Sequence, residues 1–177
     1  MENNFFVMDA AKNIKEYLDI GDSLKVIEQF CQRSEFQFLN KKMIAIEITE
    51  DSGRVCQDFI YSHGVPLISE RLKEFFDEYG IDYLFYKKVL LRKSSLGMEE
   101  VYWIALPERI KCLNVEESEI DEFLNIAEKI VINSDRVGRY EIFKLAEVGN
   151  LQIIISEKLA NKMKNENFIG IHIYNLC

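Results

Sequence analysis

Two stretches of this chain repeat one another, and that repeat limits the folds open to it more than any other feature. VPLISERLKEFFDEYGIDYLFYK, from Val65 to Lys87, is echoed by LQIIISEKLANKMKNENFIGIHIYN, from Leu151 to Asn175. Ser69, Glu70, Arg71 and Leu72 align with Ser156, Glu157, Lys158 and Leu159. After a slip of one residue, Ile81 and Tyr86 align with Ile169 and Tyr174. Each copy reads as an extended apolar lead-in, a serine able to cap a helix, a short amphipathic helix, and a strand of aromatic and branched residues. A solenoid needs about three or more stacked units, so two separated copies are expected as paired parts of one core.

At 177 residues and 20.8 kDa, without a Pro- or Gly-rich linker, the chain is expected to form one domain over 1–177. Within it, 1–57 is the less legible part. The longest apolar runs, such as Ile153 to Ile155 and Val101 to Leu106, fall far short of the roughly 18 residues that span a bilayer. The opening MENNFFVMDA has no basic region and no small-residue cleavage site, which points to the cytoplasm. Cys31, Cys56, Cys112 and Cys177 stand far apart with no C-x-x-C pair, so free thiols are expected rather than a disulfide framework or a zinc site. With 30 acidic against 22 basic side chains, a net charge of −8 excludes ready binding to nucleic acid or to an anionic membrane. A charged partner should be basic.

Leu72, Phe75, Phe76 and Tyr79 recur at i, i+3, i+4 and i+7, which gathers them on one helical face, while Arg71, Lys73, Glu74, Asp77 and Glu78 point away. Gly80 ends that helix. Strands are predicted at Met43 to Thr49, Ile81 to Tyr86 continuing to Val89 to Leu91, and Val101 to Leu106, the last two joined as a hairpin through Gly97. Further strands are expected at Ile130 to Ile132, Ile142 to Leu145 and Phe168 to Tyr174, with Leu159 and Met163 facing inward from the second helix. Near the start, Phe5 to Met8 reads as a strand, and Leu24, Ile27, Phe30 and Cys31 mark a helical face. Ser118 with Asp121 matches a capping-box spacing and predicts a short helix near Ile120 to Phe123. Helices and strands are interspersed without regular βαβ alternation. That makes the fold α+β, a mixed or antiparallel sheet with short packed helices and a duplicated helix-strand unit.

The chemistry is sparse. His63 and His172 are the only histidines, and neither stands near a nucleophile in a recognised arrangement; no Gly-rich phosphate loop and no H-E-x-x-H pair occurs. His63 is expected in a loop and His172 in a strand. No cofactor is assigned. The densest titratable run is Glu116, Glu117, Glu119, Asp121 and Glu122. It reads as a solvated turn, as a docking patch for a basic partner, or as paired catalytic or metal-binding acids. The aromatics Tyr79, Tyr83, Phe85, Tyr86, Tyr102 and Trp103 are expected chiefly in the core, with any exposed ones serving as interface anchors.

The order Asp-Phe-Ile, ISERL helix, GID strand, VYWIALPERIKCL, VEES, KIVI, EIFKL, IIISEKL helix, GIHIY strand resembles an immunity-protein family of bacterial polymorphic-toxin systems. The similarity runs from Asp58 to Tyr174. Asn114 departs from it, standing where the family pattern carries an aspartate. The resemblance implies a cytoplasmic, non-enzymatic protein that binds a cognate toxin domain and blocks it, protecting the producing cell and its kin. It carries over no catalytic residue and no toxin contact. Two other classes stay open on the residues alone: an enzyme working through clustered carboxylates, and a small-ligand module with a pocket between the repeats.

Overall fold

A computed structural model describes residues 4–12, 15–25, 28 and 44–176. The helical face expected through Ile27, Phe30 and Cys31 lies outside the described residues. In chain order the strands are β1 (Phe5–Ala10), β2 (Ile44–Glu47), β3 (Phe59–Ser62), β4 (Val65–Ser69), β5 (Phe85–Lys93), β6 (Met98–Leu106), β7 (Arg109–Ile110), β8 (Glu119–Asp121), β9 (Ile126–Lys129), β10 (Ile142–Leu145), β11 (Ile153–Ser156) and β12 (Ile171–Asn175). Helix α1 (Glu70–Tyr79) follows β4 and helix α2 (Glu157–Asn165) follows β11, as the repeat requires. The fold is α+β.

Contacts gather the chain into two compact units: an inner unit of Ala10–Leu106 with Phe168–Ile171, and a terminal unit built from the chain's start, Pro107–Asn167 and its end from His172. The inner unit holds a sheet ordered β2-β5-β6-β4-β3. One face buries Leu67, Val89, Leu91, Tyr102 and Ile104 against Leu18, Ile20 and Leu24. Helix α1 lies against β4 and β6. His63 and Gly64 both take positive φ, 50° and 75°, in the two-residue turn that joins β3 to β4. The terminal unit holds a sheet ordered β12-β1-β11-β10-β7, with the β8-β9 hairpin as a separate pair.

The duplication is larger than the sequence shows. In both units the repeat begins one strand earlier, at an acid directly opposite the capping serine. Phe59 pairs with Ile68 and Ile142 with Ile155, which sets Asp58 across from Ser69 and Glu141 across from Ser156. Ser69 N–H donates to the Asp58 carbonyl at 2.9 Å, and Ser156 N–H to the Glu141 carbonyl at 2.9 Å. Each serine hydroxyl accepts from the amide three residues on, Leu72 or Leu159, at 3.1 Å, and donates its own proton to the acid. A basic residue, Arg71 or Lys158, reaches the same acid.

Both units then repeat strand, strand, helix, strand: β3-β4-α1-β5 in one and β10-β11-α2-β12 in the other. Between the second and last of these strands lies an antiparallel partner, β6 in the inner unit and β1 in the terminal unit. Ser69 faces Tyr102 there, and Ser156 faces Phe5. The four-strand core of the terminal sheet, β12-β1-β11-β10, is therefore a circular permutation of β5-β6-β4-β3, with the strand between the second and last supplied from the other end of the chain, while the fifth strands differ, β2 lying beside β5 and β7 beside β10.

Several strand boundaries differ from expectation. Ile81 is spent on ending α1, its N–H bonding the Phe76 carbonyl at 2.9 Å while Gly80 N–H bonds Asp77 at φ 87°, so β5 starts only at Phe85. Asn167 and Gly170, with φ of 51° and 80°, bend the chain after α2 and delay β12 to Ile171. A side chain at Gly170 would meet Gln57 Cβ at 2.5 Å, so only glycine fits. The strand expected at Ile130 to Ile132 lies earlier, at Ile126–Lys129; Ile132 keeps a single bridge to Leu113.

Candidate functional site

The acidic run does not start a helix. Asn114 closes a turn, its carbonyl accepting from Glu117 N–H at 3.3 Å and Ser118 N–H at 3.0 Å, which needs no charge on the Asn114 side chain. The Ser118 hydroxyl, expected to cap a helix, instead accepts the Val131 N–H at 3.0 Å and pins the two arms together. Beyond it β8 and β9 pair as a hairpin, Ile120 opposite Ala127 and Asp121 opposite Ile126. Strand alternation then sorts the side chains. Ala127 and Ile120 face the core formed by Cys112, Leu113, Val137, Phe143 and Leu145, while Asp121 and Ile126 face outward.

The turn at the tip is ordered by one carboxylate. Asp121 Oδ1 accepts the Phe123 and Leu124 N–H groups, each at 2.9 Å, and Asn125 completes the reversal at φ 53°. Gly149 N–H bonds the Asn125 carbonyl at 2.7 Å, and a Cβ at Gly149 would sit 3.1 Å from that oxygen.

Of the candidate partner-binding residues, Glu116, Glu117, Glu119 and Glu122 are exposed and Asp121 is half-buried. Glu119 approaches Lys129 at 4.0 Å across the strands. Around them stand Val115, Leu124 and Ile126, all exposed, and Phe123, whose side chain is 95% exposed. Sequence reading missed Phe123 because the capping-box spacing placed it inside a helix. The turn residues Asp121 and Asn125, four apart, were the signal for a hairpin.

Of the aromatics expected chiefly in the core, only Tyr102 is fully buried; Tyr79, Tyr83, Phe85, Tyr86 and Trp103 are half-buried. Tyr102 is buried and donates its hydroxyl to the Gln57 carbonyl at 2.6 Å, and burial pushes its pKa well above that of a free tyrosine. Lys73, expected to point away, lies with Nζ over the rings of Tyr86 and Trp103 at 4.9 and 5.1 Å. Trp103 donates to Glu70 at 3.0 Å. His63 Nε2 lies 3.1 Å from Asp22 Oδ1, and the His172 ring packs on Tyr174.

In the terminal unit a cleft of about 400 Å³ is lined by residues that include Ser134, Tyr140, Glu141, Ser156 and Lys158. Ser156 and Lys158 both turn to Glu141, so the polar groups there serve the start of α2. Among the described residues no cluster of three or more His, Cys, Asp or Glu is arranged to hold a metal ion, and no helix is long and apolar enough to cross a membrane.

The chain belongs to the Immunity protein family (Imm11), whose family model matches residues 6–176. The match bears out the resemblance read from Asp58 onward and extends it to β1. No curated protein matches the chain.

Proposed function

We propose that this protein acts in the cytoplasm of the producing cell, where it binds a cognate toxin domain and neutralises it by direct contact. It offers the acidic segment Glu116 to Glu122 to a basic surface. Family membership supports the role in immunity. The observation that carries the contact is the hairpin with the turn leading into it, which hold Glu119 and Glu122, and Glu116 and Glu117, in solvent beside a base anchored by Ile120 and Ala127. Carboxylates projecting from a turn enclose no substrate, which favours docking over catalysis. A field of this sign speeds encounter with a cationic partner and repels nucleic acid and anionic lipid.

The test is co-purification with the toxin domain encoded beside this gene, together with survival of cells that express both. A stable complex and survival are expected. A toxin that stays active and unbound in the presence of excess protein refutes the proposal.

A further inference from the structure

We propose that Phe123 and Leu124 form the anchor of the interface, entering an apolar pocket on the toxin whose rim carries Lys and Arg. This rests on the toxin-binding reading above and names the chemistry of its contact. Single exposed apolar residues are ordinary on a protein surface. Here they are grouped: Phe123 is 95% exposed, Leu124 60%, Ile126 41% and Val115 59%, on one hairpin and the turn leading into it. Asp121 binds the two amides of the tip residues themselves, and Asn150 and Gly149 hold the strand behind them. The tip is thus presented in a fixed shape, and little ordering is left to be lost on binding.

Charge selects the occupant. Between Asn114 and Ile132 the only cation is Lys129, against the acidic run and Glu128. A second copy of the chain would bring two such collars face to face, and an anionic bilayer would repel this one. A pocket that is apolar within and cationic at its rim matches both parts of the hairpin: the ring fills the centre and excludes water, and the carboxylates meet the rim.

The measurement uses the purified, catalytically inactivated toxin domain encoded beside this gene, with the full-length protein, followed by stopped-flow association and dissociation. A double variant, F123S with L124S, keeps the fold because both side chains lie in solvent. It should dissociate about 30-fold faster or more, the size of a hot-spot loss, with little change in association. Changing Glu116, Glu117 and Glu122 to Gln should have the opposite profile, with association about tenfold slower at low salt and dissociation nearly unchanged. F123W should retain binding and shift its emission to the blue when toxin is added. Wild-type kinetics in the tip variant overturn the anchor and leave toxin binding standing. No binding by the wild-type protein overturns both. The anchor is also refuted if the tip variant binds toxin normally but breaks a wild-type dimer in sedimentation, or loses wild-type capture on phosphatidylglycerol vesicles, because the tip then serves a second copy or a lipid surface.

Discussion

Asn150 grips Ala127 by both of its backbone groups: Oδ1 accepts the Ala127 N–H at 2.7 Å, and Nδ2 donates to the Ala127 carbonyl at 3.0 Å. The amide side chain thereby stands in for a third strand beside β9 and keeps the hairpin from swinging off its core. Replacing Asn150 by Ala leaves both groups to find water at a half-covered site, at a cost of about 1–3 kcal/mol. Amide hydrogen exchange at Ala127 should accelerate, and toxin should associate more slowly although Asn150 lies outside the acidic run. Unchanged exchange at Ala127 would show that the clamp holds nothing.

The paired serines offer a second test. Ser69→Ala and Ser156→Ala each remove an N-cap, with an expected loss of about 0.5–2 kcal/mol by denaturant unfolding. Asp58→Ala should cost more than the serine change alone. Asp58 serves the Ser69 hydroxyl at 2.6 Å, the Ile169 N–H at 2.8 Å and Arg71 at 3.4 Å from a nearly covered position. Hydrogen bonds to a charged group are worth about 1.5–3 kcal/mol each. Equal losses for Ser69→Ala and Asp58→Ala would mean that the acid acts only through the cap.

What the sequence showed and what it hid follow from the range of the interactions. Helix α1 was legible because its signals are local: Ser69 before it, Leu72 and Phe76 on one face, Gly80 after it. The β5-β6 hairpin was legible for the same reason. Asp58 and Glu141 were not read as parts of the repeat, since their role depends on a strand register that places them 11 and 15 residues from their serines. The equivalence of β1 with β6 was beyond reach, because these strands occupy matching places from unrelated positions in the chain. At Ser118 a local signal misled: the hydroxyl that could cap a helix found Val131 across the hairpin, and a long-range partner outweighed the spacing.

The permutation makes β1 structural. β1 lies between β12 and β11, with Val7 and Met8 at 2% and 1% exposure. Deleting 1–10 removes the interior strand between β12 and β11 and leaves an edge of β11 unpaired. The truncated protein should lose exchange protection at Ile153, Ile154 and Ile155, which pair directly with β1. Full protection there would show that the strand is dispensable.

The thiols report on both compartment and packing. All four cysteines should be reduced in protein prepared from cells and should all titrate after unfolding. In the folded protein Cys112 is buried, and burial, followed by the nearby Glu147 charge, pushes its thiol up to about 12 from the model-compound value of 9.0. Only the thiolate reacts, so Cys112 should resist a thiol reagent at neutral pH until the chain unfolds. Cys56 is exposed, with its pKa also raised, by desolvation and then by Glu100, and should react slowly but measurably. The same shift fixes a pH dependence. Below 9 the Cys112 thiol is protonated in both states and its contribution to stability is complete. As pH rises from 9 toward 12, the unfolded chain releases this proton first and gains free energy that the folded chain cannot, so stability falls. Cys112→Ala should lose less stability than the wild-type protein across that window, measured by denaturant unfolding at each pH. Parallel curves for the two proteins would place the Cys112 thiol in a wetter setting than the core beside Leu113 and Phe143.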